Sequence, residues 1–237
     1  MTRPVPPPPP PDRQGAEEAA AGHPPAFNVP PATLGLAAIL IAVFAALRLA
    51  PEAVLMAAVF DYGFVPLRFL WALDGEAPLM AAILPLVTYM FIHVDLLHLA
   101  VNVGFLIAFG SPVERRYGWI AFAAVFLVSG IIGGLFELVP LTASAAEVAP
   151  SIGASGGIFG LMGVALAAGL GDSRFRLRTG RIIVALFVVN IVIGLLSEAG
   201  LTGGYRIGWQ AHAGGFIVGL AIGWALRRRT PPATPAT

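Results

Sequence analysis

Between Thr33 and Leu226 the chain is a succession of apolar stretches parted by short polar or glycine-rich breaks, and eleven of its fourteen arginines fall in alternate breaks or at the two ends. A backbone crossing lipid must satisfy its N–H and C=O groups internally, which leaves helices and closed barrels as the spanning forms. Stretches of this length select helices. They lie at about 33–50, 84–109, 117–138, 155–170, 181–196 and 209–226. A helix the length of the first, rising roughly 1.5 Å per residue, crosses the about 30 Å hydrocarbon layer once its frayed ends are counted. Composition agrees. The 237 residues are 57% hydrophobic and 11% charged, with a mean hydropathy of +0.84, whereas soluble domains carry roughly one-quarter charged residues. The expected fold is an all-α membrane protein with six transmembrane helices.

Charge sets the expected orientation. With the N-terminal tail inside, the inner segments hold Arg3, Arg13, Arg115, Arg116, Arg174, Arg176, Arg178, Arg181, Arg227, Arg228 and Arg229, and only Arg48, Arg68 and Arg206 lie outside. That asymmetry places both termini in the cytoplasm. A net charge of +1 and the absence of cysteine exclude a broad nucleic-acid surface, a disulfide framework and a thiolate metal site. Every basic residue is arginine, a composition bias that points to a bacterial cell (inner) membrane. Residues 1–31 form a Pro- and Ala-rich tail, 32–229 the membrane domain, and 230–237 a second short tail. The broken apolar pieces of 51–82 are expected to lie in the outer membrane face, and the glycine-rich 197–208 to be a mobile gate.

An inside start makes the even-numbered spans enter from the outer face. Each carries unusual polar residues in its first turns: His98 and Asn102 on the second, Ser155 on the fourth, His212 on the sixth. Ionisable and polar groups inside a membrane are costly, so three helices placing them at one level suggest a shared site. Serine needs a base to become a nucleophile, and His212 is the only histidine in the late spans. His98 and Asn102, four residues apart, share a helix face and are candidate donors to the oxyanion of acyl transfer, together with the Ser155 N–H. Taken singly, each has a plainer reading: Ser155 as a packing serine, His212, Asn102 and Asn190 as interhelical hydrogen-bonding groups, Asp95 as the N-cap of the helix that begins at Leu96. A metal held by His93, His98 and His212 lacks a carboxylate or thiolate to complete it. Gly153-Ala154-Ser155-Gly156-Gly157 fits the G-x-S-x-G pattern by accident, since no soluble strand precedes it. Gly156 and Gly160 on the fourth span, with Gly215, Gly219 and Gly223 on the sixth, have the small-residue spacing that lets two helix backbones approach closely.

Three motifs in order, His93-x4-His98-x3-Asn102, Gly153-Ala154-Ser155-Gly156 and Ala211-His212-x2-Gly215, give the chain a resemblance to the rhomboid intramembrane serine proteases over residues 33–227, in their basic six-helix bacterial form. The resemblance implies a Ser-His dyad of Ser155 and His212, oxyanion roles for His98 and Asn102, supporting roles for His93, Gly153, Phe159 and Gly215, and a water-filled cavity open to the outside. Glu114-x-Arg116 resembles the family's structural Glu-x-Arg motif, and Phe159 stands where some relatives have tyrosine, able to stack on His212. Some rhomboids carry a Trp-Arg pair where this chain reads Leu84-Pro85, so the resemblance does not say how the first outer loop is braced. The implied activity is intramembrane endopeptidase cleavage of single-span membrane proteins in the lipid bilayer, without cofactor, metal or nucleic acid. The alternatives are a non-catalytic rhomboid-like protein that binds membrane clients, and a small transporter using a histidine proton relay, for which the inverted repeats are missing.

Overall fold

A computed structural model describes residues 28–139, 150–169, 176–198 and 208–229. The expected tails over 1–27 and 230–237, the arginines at 174 and 206, and residues 199–207 of the expected gate lie outside the described residues. Ten α-helices are described: α1 (Pro31–Leu49), α2 (Glu52–Tyr62), α3 (Pro66–Leu73), α4 (Met80–Ile83), α5 (Pro85–Thr88), α6 (Leu96–Phe105), α7 (Ser111–Phe136), α8 (Ser155–Ala167), α9 (Arg176–Glu198) and α10 (Trp209–Arg229). By length and apolarity Pro31–Leu49, Leu96–Phe136 and Thr179–Ser197 can each cross a membrane.

The central element is α8. It is apolar on every side apart from its first residue, and everything from Gly156 to Ala165 is buried, as a helix without a polar face must be. Its approach to α10 is a backbone contact. A Cβ on Gly215 would land on the carbonyl oxygen of Gly156, one on Gly219 on that of Gly160, and one on Gly163 would lie 2.5 Å from the carbonyl oxygen of Phe216. The glycine ladder expected from spacing is therefore where α8 and α10 meet. On the other side Gly157 of α8 packs on Phe126 and Gly160 on Ser129, both from α7.

The second apolar stretch departs from expectation. The span expected over 84–109 is not continuous: α4, α5 and a 3-10 turn over Tyr89–Phe91 end in extended backbone at Ile92, and the long helix starts at Leu96, where the Asp95 cap predicts it. Asp95, in extended conformation, caps it by accepting from the His98 N–H at 2.7 Å. The break reads Ile92-His93-Val94-Asp95, and the apolar residues on both sides of it keep the stretch hydrophobic on average. Further on, Leu106–Gly110 is a π turn before Pro112, which has no N–H for the carbonyl of Ala108. Glu114, Arg115 and Arg116 are expected in a turn but lie within α7, which is kinked at Gly118, whose φ of 83° favours glycine.

Glu114 is buried and does the work of a missing cap. α1 begins Pro30-Pro31 with no side-chain cap of its own, and the Glu114 carboxylate accepts from the N–H of Ala32 (3.0 Å), the N–H of Thr33 (2.7 Å) and the Thr33 hydroxyl (2.7 Å). A carboxylate at a helix N-terminus meets unpaired amides and the positive end of the dipole. Arg115, rather than the motif's Arg116, reaches across to Asn28 O at 2.6 Å, while Arg116 lies over the ring of Tyr117.

The loop between α1 and α6 is braced by Arg68, together with Thr88 at the end of α5. The Arg68 guanidinium donates to the carbonyls of Phe60 (2.5 Å) and Gly63 (2.6 Å), and Thr88 Oγ1 donates to that of Tyr62 (2.7 Å). α2 and α3 keep large apolar side chains exposed, among them Phe60, Leu70 and Trp71, as segments resting against lipid do.

Candidate active site

Three helix N-termini converge. His98 and Asn102 stand in the first two turns of α6, Ser155 is the first residue of α8, and His212 is the fourth of α10. Ser155 Oγ and His212 Nε2 are 2.6 Å apart, a hydrogen bond across 57 residues of chain. Phe159, one turn after Ser155, stacks flat on the His212 ring with centroids 4.6 Å apart and 12° between planes. The aromatic neighbour expected from sequence is thus present, and it limits the imidazole to in-plane rotation. His212 Nδ1 is occupied as well, 2.7 Å from Asn190 Oδ1 of α9. From sequence, Asn190 is expected to be an interhelical hydrogen-bonding group alone. It is interhelical, but its partner is the histidine of the site.

The strand-like segment entering α8 is held on several sides. Phe64 and Ser151 exchange backbone hydrogen bonds at 3.0 and 2.8 Å, the Gly153 N–H donates to Tyr89 O at 2.8 Å, and the Ala154 N–H faces Nε2 of the fully buried His93 at 3.5 Å. The Ser151 hydroxyl donates to the Glu137 carboxylate. Tyr89 is anchored in turn by its own hydroxyl, which donates to Gly130 O at 2.7 Å. Neither Tyr89 nor Glu137 was among the site residues expected from sequence, and neither belongs to any local pattern with Ser155.

His98 and Asn102 gather around Gly153. Its φ is 117°, and a Cβ there would lie 2.7 Å from His98 Nε2 and 3.9 Å from Asn102 Nδ2. Both side-chain nitrogens therefore face one small space two residues before Ser155. Asn102 Nδ2 gives one hydrogen to His98 O at 3.0 Å, and an amide has a second to offer. His93 packs edge-on to His98, with centroids 4.9 Å apart, which backs the His98 ring from the side of the preceding loop. Gly153→Ala is expected to push His98 out of this space and to cost about a hundredfold in any turnover that uses it, the usual effect of losing one oxyanion donor, and to lower the melting temperature, since alanine is strained at this φ. Activity and thermal unfolding measured on the same preparation check this.

Residues 81–229 match the sequence model of the Rhomboid domain. The chain is 31% identical over 147 residues to RHOMBOID-like protein 6, mitochondrial, of Arabidopsis thaliana, covering 60% of this chain and 43% of the relative. It is 33% identical over 142 residues to Rhomboid protease GluP of Bacillus subtilis, covering 60% of this chain and 25% of the relative. It is also 32% identical over 114 residues to Inactive RHOMBOID-like protein 8 of Arabidopsis thaliana, covering 47% of this chain and 31% of the relative. The matched region thus spans less than half of each of these relatives. Apolar helices and a domain match over more than half of the residues agree: this integral membrane protein belongs to the rhomboid family.

Proposed function

We propose that the protein is an intramembrane serine endopeptidase in which Ser155 attacks and His212 is the general base. The observation that carries this is the 2.6 Å contact between Ser155 Oγ and His212 Nε2 at the start of the central helix. The Ser155 proton passes to His212 Nε2 as Oγ bonds to the scissile carbonyl carbon, and His212 returns it to the leaving amine; water then hydrolyses the acyl-enzyme by the same steps. His98, Asn102 and the Ser155 N–H stabilise the oxyanion. We read six crossings with both termini cytoplasmic, supported by the alternation of arginines.

The shortness of α8 supports an intramembrane site. Its 13 residues make about 20 Å of helix, roughly 10 Å less than the hydrocarbon layer. Starting one such step below the outer face, Ser155 would meet a substrate segment still within the membrane. Such a segment must unwind, because helical hydrogen bonds shield its peptide bonds, so single-span proteins with helix-breaking small residues are the proposed substrates. Composition favours a bacterial cell membrane; family members named as mitochondrial supply the competing location, and fractionation of the source cell distinguishes the two.

A fluorophosphonate probe is expected to label the purified wild type at Ser155, and labelling is expected to vanish in Ser155→Ala. The competing reading, a client-binding protein without hydrolysis, has a precedent in the family member named as inactive. Shedding of membrane-protein fragments that continues unchanged in cells carrying Ser155→Ala would overturn the protease reading.

A further inference from the structure

We propose that Asn190 is the positioning residue of His212, completing a Ser155–His212–Asn190 relay that spans α8, α10 and α9. This rests on the protease reading above. α9 touches the rest of the protein along a narrow stripe. Ile183 is buried, Phe187 stacks on Phe216 of α10 at 4.3 Å, and a Cβ on Gly194 would lie 2.6 Å from Cγ of Trp209. Asn190 falls in the same stripe, at spacings of four, three, four and three residues through 183, 187, 190, 194 and 197, and is the polar member at its middle, with Ser197 at its end. To either side Val184, Val188, Val189, Val192, Ile193 and Leu195 are exposed. A polar side chain in the seated stripe of an otherwise lipid-facing helix needs a partner, and Asn190 Oδ1 has one in His212 Nδ1 at 2.7 Å.

The chemistry of that bond is directional. With Oδ1 turned to the ring the Asn190 amide accepts, which selects the tautomer with hydrogen on Nδ1 and leaves the Nε2 lone pair facing Ser155 Oγ at 2.6 Å. When Nε2 takes the Ser155 proton, the imidazolium keeps Nδ1–H on Asn190 and offers Nε2–H to the leaving nitrogen. Phe159 fixes the plane of the ring, and Asn190 fixes its rotation within that plane. The role parallels the asparagine of Cys-His-Asn proteases, reached here from a separate, thinly seated helix.

The test is the rate of fluorophosphonate labelling at Ser155 in purified full-length protein, resolved into a maximal rate and a half-saturating probe concentration. Asn190→Leu keeps the volume and suits the apolar stripe. It is expected to keep the melting temperature and the half-saturating concentration while lowering the maximal rate about three- to tenfold, the usual net worth of one hydrogen bond. Asn190→Asp, which can accept the same bond, is expected to label within about threefold of wild type. In ¹⁵N spectra of histidine-labelled protein, the His212 signal is expected to report the Nδ1–H tautomer in wild type and a mixture in Asn190→Leu. Wild-type labelling by Asn190→Leu, or slow labelling by a folded Asn190→Asp, overturns the proposal. Labelling of wild type that is no greater than that of Ser155→Ala instead overturns the protease reading on which it rests.

Discussion

His212→Ala is expected to lower the turnover of a cleavable transmembrane substrate about a millionfold, to the level of Ser155→Ala. Without Nε2 at 2.6 Å the hydroxyl proton has no acceptor, and the other nitrogens near the site, those of His98 and Asn102, face Gly153 instead. Because nucleophile and base act as one unit, the double substitution is expected to be no worse than either single one. Cleavage by single, double and wild-type proteins, measured on one substrate peptide in liposomes, checks the equality. A double variant several orders of magnitude below each single variant would mean that the two residues act in separate steps.

Gly215→Val is expected to lower the melting temperature and to remove activity in any fraction that still folds. A Cβ at this position meets the carbonyl oxygen of Gly156, and backbone cannot turn aside as a side chain can. Overpacking of this kind costs about 1–3 kcal/mol or more, and relief requires α8 and α10 to separate. Gly156 adjoins Ser155, and Gly215 lies three residues after His212. Separation at this level therefore lengthens the contact between the two, and about 1 Å of misplacement at a reacting centre costs on the order of a hundredfold in rate. Gly35→Ala in α1 is the control, since a Cβ there has nothing within 4 Å. It is expected to leave both activity and melting temperature near wild type.

The features that could be read in the sequence are those whose cost is local. Ser155, His98, Asn102 and His212 stood out because polar groups in apolar stretches need a reason, and the structure brings all four to one place. Asp95 was legible as a cap because a carboxylate just before an apolar run has few other uses. The extent of the break ahead of it was not, since the residues before it, Leu84 to Ile92, are apolar enough to continue a helix. Arg68 looked like one more flanking charge, because its partners are carbonyls, which carry no signature in sequence. Asn190 could be seen as polar but not as a partner of His212. That needed the stripe of α9 and its neighbour together, and a helix exposed on most sides has apolar residues all round to hide the stripe.

The carboxylate of Glu114 on the amides of Ala32 and Thr33 bears on how the chain is made. Thr33 and Glu114 are 81 residues apart, and synthesis at about 5–20 residues per second separates their appearance by roughly 4–16 seconds. Over that interval the leading amides of α1 are without the carboxylate that pairs with them in the folded protein. Delivery of Glu114 by α7 supplies it and fixes the depth of α1 against the helices that follow. Glu114→Gln is therefore expected to lower the yield of assembled protein while leaving the contact between Ser155 and His212 in place, which membrane-fraction yield and probe labelling of the same preparation check.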